Sequence, residues 1–516
     1  MAASDDTFVL VKSMTKSEKR FFRLFASLTE GEKNYMKVFD LMDKMEVYDA
    51  KRLAEKGKAS RMNLSHEKIY LRNQILRAMR NFHSNSGHVV SLRNRLLEIS
   101  FLYDKGLDRL CLQLVTKLMK EAKEYGQELV LLELINWKRL LADRASNFNA
   151  MTEYVEQDHP AELEIFESLK SVTEYNALYN RLMLLVKRRG LSPDRDFLEG
   201  LEQLRNHPLL LSKEPPKAYS ARRYYYSVLA VYYHVKGDLS RALEISALLL
   251  DEVENRLSSK TDDSAKSYFG LQNNFLGRCI YSSREELFEK HLVKFRQFPA
   301  LLEPMKRRFY EAKVFMNSSQ LELEYKLYHG EFEKAAKLLP EIEAGIPKVK
   351  NPDPIVLMTL LYTIAHAQFG IGQYEETLRT LNKIIHDRRF DTIREDIHAF
   401  AFFLKVLVYY ETGDQKGLEL ALRMFGKFIR KTGKLLKTGD LLYSFFRESE
   451  KAEGKTKQLE LLKQSRAKLL ELQSENNEKL LEIFFDIGGW FESKISARPF
   501  PEIVRARIAK TAAEKR

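Results

Sequence analysis

Apolar residues recur at three- and four-residue spacing along almost the whole of this 516-residue sequence. This spacing places them on one side of an α-helix, whereas a half-buried strand would alternate apolar and polar residues. No stretch shows that alternation between turn residues, and the chain has only 22 Gly and 13 Pro, too few for a turn-rich β fold. The pattern therefore predicts an all-α fold.

A helix near the N-terminus illustrates the pattern. Ser17 has a side chain suited to cap a helix, and it precedes a run of apolar residues at helical spacing. We expect this run to form one buried stripe, which comprises Phe21, Phe22, Leu24, Phe25 and Leu28.

A second pattern repeats in the central part of the chain. An apolar-periodic stretch runs into a glycine, and a bulky and then a small residue follow it. This occurs at Gly237, Gly330, Gly372 and, less regularly, Gly413, and a weaker version surrounds Gly106. Glycine adopts the left-handed backbone conformation without steric cost, so each is expected to end one helix and let the next fold back. The pattern predicts antiparallel helical hairpins.

These hairpins resemble the tetratricopeptide (TPR) repeat, in which antiparallel helix pairs stack into a superhelix. The matching consensus positions are Tyr226, Leu229, Ala230, Tyr233, Gly237 and Ala242 in one hairpin, and Leu361, Ile364, Ala365, Gly372, Tyr374 and Leu381 in another. The chain departs from the family because its last three repeat glycines lie 42 and 41 residues apart, against about 34 in TPR proteins. Glu322 and Lys326 also occupy positions that are apolar or aromatic in the family.

The resemblance implies an all-α fold, specifically an α-solenoid of antiparallel TPR-like hairpins with helical caps at both ends. Residues 91–450 would form the repeat body, residues 1–90 a basic helical segment, and residues 451–516 a long capping helix with a basic tail. The long helix is expected over residues 455–486 and should break at Gly488 and Gly489, with Trp490 and Phe491 either exposed or docked.

TPR proteins bind peptides or other proteins on a concave surface formed by the first helix of each hairpin. Transferred to this sequence, the family's concave positions predict an aromatic partner-binding surface with two histidines. It comprises Tyr224, His234, Tyr362, His366, Phe403 and Tyr410. Burial of these side chains in the core by longer helices is the alternative that the sequence leaves open.

Motifs for catalysis or cofactor binding are missing from the sequence. It has no phosphate-binding glycine loop, no Gly-x-Ser-x-Gly elbow and no His-Glu-x-x-His pair. Two Glu-x-x-His pairs, Glu156 with His159 and Glu395 with His398, have the spacing of helical metal ligands. Pro160 directly follows His159, and we expect it to push that residue away from helical geometry. The sequence thus predicts no enzyme, no cofactor and no metal site.

The chain has a formal net charge of +13, and its basic excess lies at the two ends. Residues 1–90 hold 17 Lys and Arg against 11 Asp and Glu, and residues 423–516 hold 21 against 13. The middle is balanced, with 47 against 48. Positive ends could contact nucleic acid, an acidic protein or an anionic lipid surface, but solvated basic helix faces are also common.

Residues 50–82 resemble a helix-turn-helix, since a short basic helix and a turn precede a longer basic helix. We expect Ile69, Ile75, Leu76, Met79 and Phe82 to form the buried face of the longer helix. Its remaining basic residues would be available for phosphates, namely Lys68, Arg72, Arg77 and Arg80. A helical cap on the first hairpin is the alternative for this segment.

Two function hypotheses follow. The first is a non-enzymatic scaffold or adaptor that binds a protein or peptide of unknown identity on its concave face. The alternative is a nucleic-acid-associated regulator with a basic N-terminal head and a TPR-like sensor body. Two cysteines, Cys111 and Cys279, the missing export signal and the absence of a membrane-length apolar stretch predict a cytoplasmic protein.

Overall fold

The computed structural model describes residues 6–28, 33–59, 63–84, 88–188, 195–212, 214–255, 262–281, 284–302, 304–391, 393–432, 436–452, 454–475 and 484–514. Within these residues every regular element is a helix and no strand occurs, in agreement with the predicted all-α class. The chain divides into two compact units, Met1–Phe166 and Glu167–Arg516. This boundary lies inside the predicted repeat body, and the three-part division made from the sequence stays a prediction.

The first unit contains nine complete helices among its described residues and the beginning of a tenth. They are α1 (Asp6–Ser13), α2 (Lys16–Ser27), α3 (Asn34–Lys44), α4 (Ala50–Ala59), α5 (Leu64–Phe82), α6 (His88–Asp104), α7 (Asp108–Glu124), α8 (Glu128–Arg144), α9 (Phe148–Glu153) and α10 (His159–Arg188). A π-helical turn, Tyr154–Asp158, joins α9 to α10.

Two apolar clusters stabilise this unit. In the first, α5 packs against α1, α2 and α3, with Phe22, Phe39 and Ile75 fully buried. In the second, α6 packs against α7, and α7 against α8, around Val115 and Leu134. The N-terminal helices therefore have a core of their own.

The helix at the N-terminus differs in detail from its prediction. Thr15, rather than Ser17, caps α2 and forms a capping box with Glu18, because their side chains satisfy each other's backbone N–H groups. Phe22 is buried as expected, whereas Leu24 and Leu28 are 63% and 77% exposed. The predicted stripe was too wide for the single helix face that reaches the core.

The second unit contains the rest of α10 and sixteen further helices within the described residues. They are α11 (Arg195–Arg205), α12 (Pro208–Leu211), α13 (Tyr219–Val235), α14 (Leu239–Glu254), α15 (Asp262–Ile280), α16 (Glu285–Gln297), α17 (Pro304–Tyr328), α18 (Phe332–Gly345), α19 (Pro354–Gly370), α20 (Tyr374–His386), α21 (Glu395–Thr412), α22 (Gln415–Thr432), α23 (Leu436–Ser449), α24 (Lys455–Glu475), α25 (Ile487–Ser496) and α26 (Phe500–Glu514).

Helices α13 to α26 pack in chain order, each against the next. In addition α15 contacts α17, α17 contacts α19, and α19 contacts α21, so the first helices of successive hairpins are neighbours. This sequential packing is consistent with an all-α array of stacked hairpins.

The glycine turns are confirmed. Gly106, Gly237, Gly330, Gly372 and Gly413 all have left-handed backbones, with φ between 69° and 81°. The small residues that follow three of them, Ala242, Ala335 and Thr377, are fully buried, where they allow close packing. Gly126, which the sequence analysis did not single out, forms the same turn between α7 and α8 with φ of 62°.

The two charged residues that departed from the TPR pattern are accommodated by ion pairs. Glu322 is 9% exposed and pairs with Arg296 at 2.6 Å, and Lys326 lies 3.8 Å from Glu289. Polar residues at these positions are tolerated because each has a partner of opposite charge.

The C-terminal prediction is only partly correct. Helix α24 ends at Glu475, residues 476–483 lie outside the described part, and Phe484–Asp486 are not helical. Gly488 and Gly489 do not break a helix, since they lie in the first turn of α25, which Asp486 caps through the N–H of Gly489. Trp490 and Phe491 are docked, with both side chains fully buried.

Candidate functional site

The predicted partner-binding positions all lie on the first helices of three hairpins. We name them the first-helix face. It comprises Tyr224, Ser227, Val231 and His234 on α13, Thr359, Tyr362, His366 and Phe369 on α19, and Phe400, Phe403, Leu407 and Tyr410 on α21.

On α13 this face remains at least partly exposed. Tyr224 is half-buried and packs against the ring of Tyr179 at 5.8 Å, while His234 is exposed near the end of the helix. The core of α13 is formed by other positions, such as Tyr225 and Val228. A partner could therefore reach this part of the face directly.

On α19 and α21 the same face is covered. Tyr362 and Phe403 are 4% and 0% exposed, and His366 and Tyr410 are half-buried. The cover is residues 484–514 of the same chain, which we name the C-terminal segment. For these four residues, direct contact with a partner requires that segment to move.

Aromatic side chains of the face contact the C-terminal segment at several points. The ring of Phe484 stacks on that of Phe400 at 4.8 Å. The ring of Phe485 lies 5.1 Å from that of His366 and 5.8 Å from that of Phe403. The hydroxyl of Tyr362 donates a hydrogen bond of 3.0 Å to the backbone carbonyl of Phe484. The face thus contacts both side chains and main chain of the segment.

Helix α25 continues these contacts beside α21. The ring of Trp490 lies 5.5 Å from that of Tyr410, and its indole N–H donates to Glu411 at 2.8 Å. Lys494 pairs with the same carboxylate. Because the indole N–H has an acceptor, Trp490 can be buried without an unsatisfied donor.

Helix α26 crosses the turn between α17 and α18 at Gly330. A Cβ atom there would lie 2.9 Å from the backbone nitrogen of Arg505 and 3.0 Å from the carbonyl oxygen of Pro501. Glycine is needed at this position for two reasons, its positive φ and the close approach of a second backbone.

A cavity of about 590 Å³ remains between α17, α19 and the C-terminal segment. Tyr362 and His366 line it, together with Glu324 of α17 and Phe500 of α26. Burial lowers the pKa of His366 from 6.5 to about 4 and raises the pKa of Tyr362, so both side chains are uncharged near neutral pH.

The predicted nucleic-acid contacts lie on α5. Arg72, Arg77 and Arg80 are exposed, and none of the three forms an ion pair within the described part of the chain. Lys68 is half-buried, and its ammonium group lies 3.5 Å from the hydroxyl of Tyr48.

The buried face of α5 was predicted correctly only in part. Ile75 is fully buried and Met79 packs against the same core, as predicted. Ile69 and Leu76 are instead 53% and 50% exposed, and the fully buried Leu71 and Ala78 were not predicted. The helix is rotated relative to the prediction because α1, α2 and α3 pack on the side that carries Leu71. Helices α4 and α5 both occur in the predicted helix-turn-helix region, but residues 60–62 between them lie outside the described part.

The Glu-x-x-His pairs have ordinary structural surroundings. His159 has helical backbone angles, contrary to the expected effect of Pro160, because the preceding π-helical turn accommodates the proline. It lies 3.6 Å from Glu162. His398 is 6% exposed and lies beside the ring of Phe428. No group of three or more His, Cys, Asp or Glu side chains with metal-binding geometry occurs among the described residues.

Cys111 and Cys279 are both free and buried. Burial raises the pKa of both thiols, that of Cys279 to about 12, so neither is an activated nucleophile near neutral pH. In the described residues, none of the helices combines the length and the apolar character needed to cross a membrane.

Comparisons with known proteins give no relative. No family model matches the sequence, and no curated protein or solved structure matches it at the level that would indicate a relationship.

Proposed function

We propose that this chain is a non-enzymatic scaffold or adaptor, an α-solenoid of TPR-like hairpins that binds a protein or peptide on the first-helix face. One observation carries the proposal. The residues transferred from the TPR concave surface to α19 and α21 converge on a single stretch of polypeptide, the C-terminal segment, through aromatic contacts and the Tyr362 hydrogen bond to the Phe484 carbonyl. A surface with these properties suits peptide ligands.

The external partner would bind where the face is open, on α13. Tyr224 offers a partly exposed aromatic ring and His234 an exposed imidazole. Partly buried tyrosines provide large contact area at low entropic cost, which is why they are frequent in interface hot spots.

Affinity purification of the tagged full chain from its own cells tests this proposal. The double variant Tyr224→Ala/His234→Ala should lose the partners of the parent chain by about tenfold or more, since hot-spot truncations cost about 2 kcal/mol. Tyr70→Ala is the matched control, because Tyr70 is a 44% exposed tyrosine on α5, outside the face. Recovery of the same partners by both variants would contradict the proposal.

The alternative function, nucleic-acid association, has its own supporting observation. Arg72, Arg77 and Arg80 are exposed on one helix and form no ion pair with any described residue, so binding phosphates would break none of the described ion pairs. The triple variant Arg72→Glu/Arg77→Glu/Arg80→Glu should abolish binding of a labelled duplex or single-stranded RNA, measured by fluorescence anisotropy. The parent chain should bind more weakly as salt increases.

Treating half of each purified sample with nuclease separates the two functions. Partners that persist after nuclease support the scaffold, and partners that disappear support the nucleic-acid reader. We further propose a cytoplasmic location, which two free, buried cysteines fit. Microscopy of the tagged chain tests it.

A further inference from the structure

The cavity between α17, α19 and the C-terminal segment has the size and lining of a small-molecule site. Its volume of about 590 Å³ lies within the range of about 300–1,000 Å³ found for ligand pockets. The rings of Phe332, Phe484 and Phe500 and the side chains of Leu327 and Ile397 form its apolar walls. These walls suit an aromatic or aliphatic body.

Of the four charged side chains that line the cavity, three form ion pairs. Arg394 makes a two-pronged pair with Asp396 at 2.9 Å, and Arg507 pairs with Asp486. Glu324 accepts a hydrogen bond of 3.0 Å from the side-chain amide of Gln320, but it forms no ion pair with any described residue. Its carboxyl group is therefore the charged group of the lining that has no ion-pair partner among the described residues. Burial raises the pKa of this carboxyl group, and the positive charge of Arg394 offsets part of that effect.

The lining also contains a buried polar atom without a hydrogen-bond partner among the described residues. Nε2 of His366 is buried and makes no hydrogen bond among the described residues. The imidazole is neutral because aromatic rings surround it. A buried polar atom without a partner costs about 1–3 kcal/mol, so a ligand that donates a hydrogen bond to it would remove that penalty. The tautomer with the proton on Nδ1 leaves Nε2 as the acceptor.

A second cavity in this unit, of about 460 Å³, has a different charge arrangement. Its buried acid, Glu322, is already neutralised by Arg296. The other two acids of its lining, Glu311 and Glu341, are exposed to solvent.

We propose that the cavity beside Glu324 binds a small organic amine with an apolar, aromatic body. The ammonium group pairs with the Glu324 carboxylate and donates hydrogen bonds in the direction of His366, and the body packs against Phe332 and Phe500. Aromatic faces add attraction for the cation. Since α17, α19 and α26 all contribute walls, the ligand also stabilises the docked state of the C-terminal segment. This inference does not depend on the proposed partner binding.

The test uses the full chain and two probes of equal size, 2-phenylethylamine and the neutral 2-phenylethanol. Binding is measured by saturation-transfer NMR and calorimetry. A ligand this small is expected to bind with a Kd on the order of 1 mM. The amine should bind about tenfold more tightly than the alcohol, because only the amine forms an ion pair with Glu324 away from bulk water.

Two variants locate the site. Glu324→Gln keeps the size of the side chain and removes the charge, so the amine should lose its advantage over the alcohol. Ile508→Trp fills the cavity from α26 and should abolish binding of both probes. Glu333→Gln, at an exposed acid on α18 outside the lining, should bind like the parent chain. Circular dichroism confirms that each variant is folded.

The proposal is rejected by any of three results. These are no binding of the amine by the parent chain at about 10 mM, well above the expected Kd, equal binding of amine and alcohol, or an amine preference that survives Glu324→Gln. None of these results bears on partner recovery through Tyr224 and His234, so the two proposals fail separately.

Discussion

Removing the ring of Phe485 should undock the C-terminal segment. This side chain is 1% exposed, and its ring packs between those of His366, Phe369 and Phe403 and stacks on that of Phe500 at 5.1 Å. A buried phenylalanine contributes roughly 150–250 Å² of burial, and Phe→Ala substitutions in cores cost about 3–5 kcal/mol. Phe485→Ala should therefore destabilise the docked state of the C-terminal segment by about 3–5 kcal/mol.

The two tryptophans of the chain allow a direct assay. Trp137 lies in the first unit and Trp490 in the C-terminal segment, so in a Trp137→Phe background fluorescence reports on the segment alone. With an m-value of about 3 kcal/mol per M urea, Phe485→Ala should lower the midpoint of the Trp490 transition by about 1 M or more. Limited proteolysis should then cleave the segment before the helical hairpins.

The control is Phe309→Ala, because Phe309 is a phenylalanine of the same unit that is 56% exposed. In this variant the urea midpoint of the Trp490 transition should change by less than about 0.3 M, since substitutions of exposed residues rarely change stability by more than about 0.5 kcal/mol. A Phe485→Ala midpoint equal to that of the control would refute the packing of the segment on the first-helix face. A Trp490 transition that coincides with global unfolding, but at lower urea, would mean that the segment is an integral part of the core.

Three further predictions use the same single-tryptophan chain. Tyr362→Phe keeps the ring and removes the hydrogen bond to the Phe484 carbonyl, so it should destabilise docking by about 1 kcal/mol, and an unchanged urea midpoint would exclude that bond. Gly330 has a φ of 72°, and a Cβ atom there would clash with the α26 backbone, whereas Gly372 has a φ of 78° and open space where its Cβ would lie. Gly330→Ala should therefore reduce the free energy of unfolding more than Gly372→Ala. We expect about 1 kcal/mol for Gly372→Ala and at least 2 for Gly330→Ala in urea titrations, and equal losses would contradict the close approach. Burial lowers the pKa of His366 from 6.5 to about 4. Between these pH values the unfolded chain binds a proton that the folded chain does not. The contribution of the neutral imidazole to stability is therefore present above pH 6.5 and lost as the pH falls towards 4. Between pH 6.5 and 4, the His366→Gln variant should therefore lose about 2–4 kcal/mol less unfolding free energy than the parent chain. Parallel pH profiles of the two chains would show that this imidazole is not buried in neutral form.

Local features of the fold could be predicted because they depend on neighbours in the chain. A glycine with a bulky and then a small residue after it was enough to place the turns at Gly237, Gly330 and Gly372, since positive φ is a property of one residue. Helical periodicity gave the all-α class for the same reason.

Predictions failed where packing partners decide which side of a helix is buried. On α5, Ile69 and Leu76 are as apolar as Ile75, and only the positions of α1, α2 and α3 determine that Ile75 faces the core. The glycine pair at the start of α25 reads as a helix break, but the Asp486 cap and the burial of Trp490 stabilise a helix there. Propensity is a weak guide when tertiary contacts oppose it.

The sequence by itself determined that this protein is made of helical hairpins with left-handed glycine turns, because these properties depend on residues a few positions apart. Only the tertiary structure decided that the aromatic face on α19 and α21 is covered, since the Tyr362 to Phe484 hydrogen bond joins residues 122 positions apart. The same holds for the cavity, because its walls come from α17, α19 and α26. Its acid without a described ion-pair partner, Glu324, appears in the sequence as one acid among 72. Periodicity describes one helix at a time, whereas the choice of neighbour depends on the free energy of burying many apolar surfaces together.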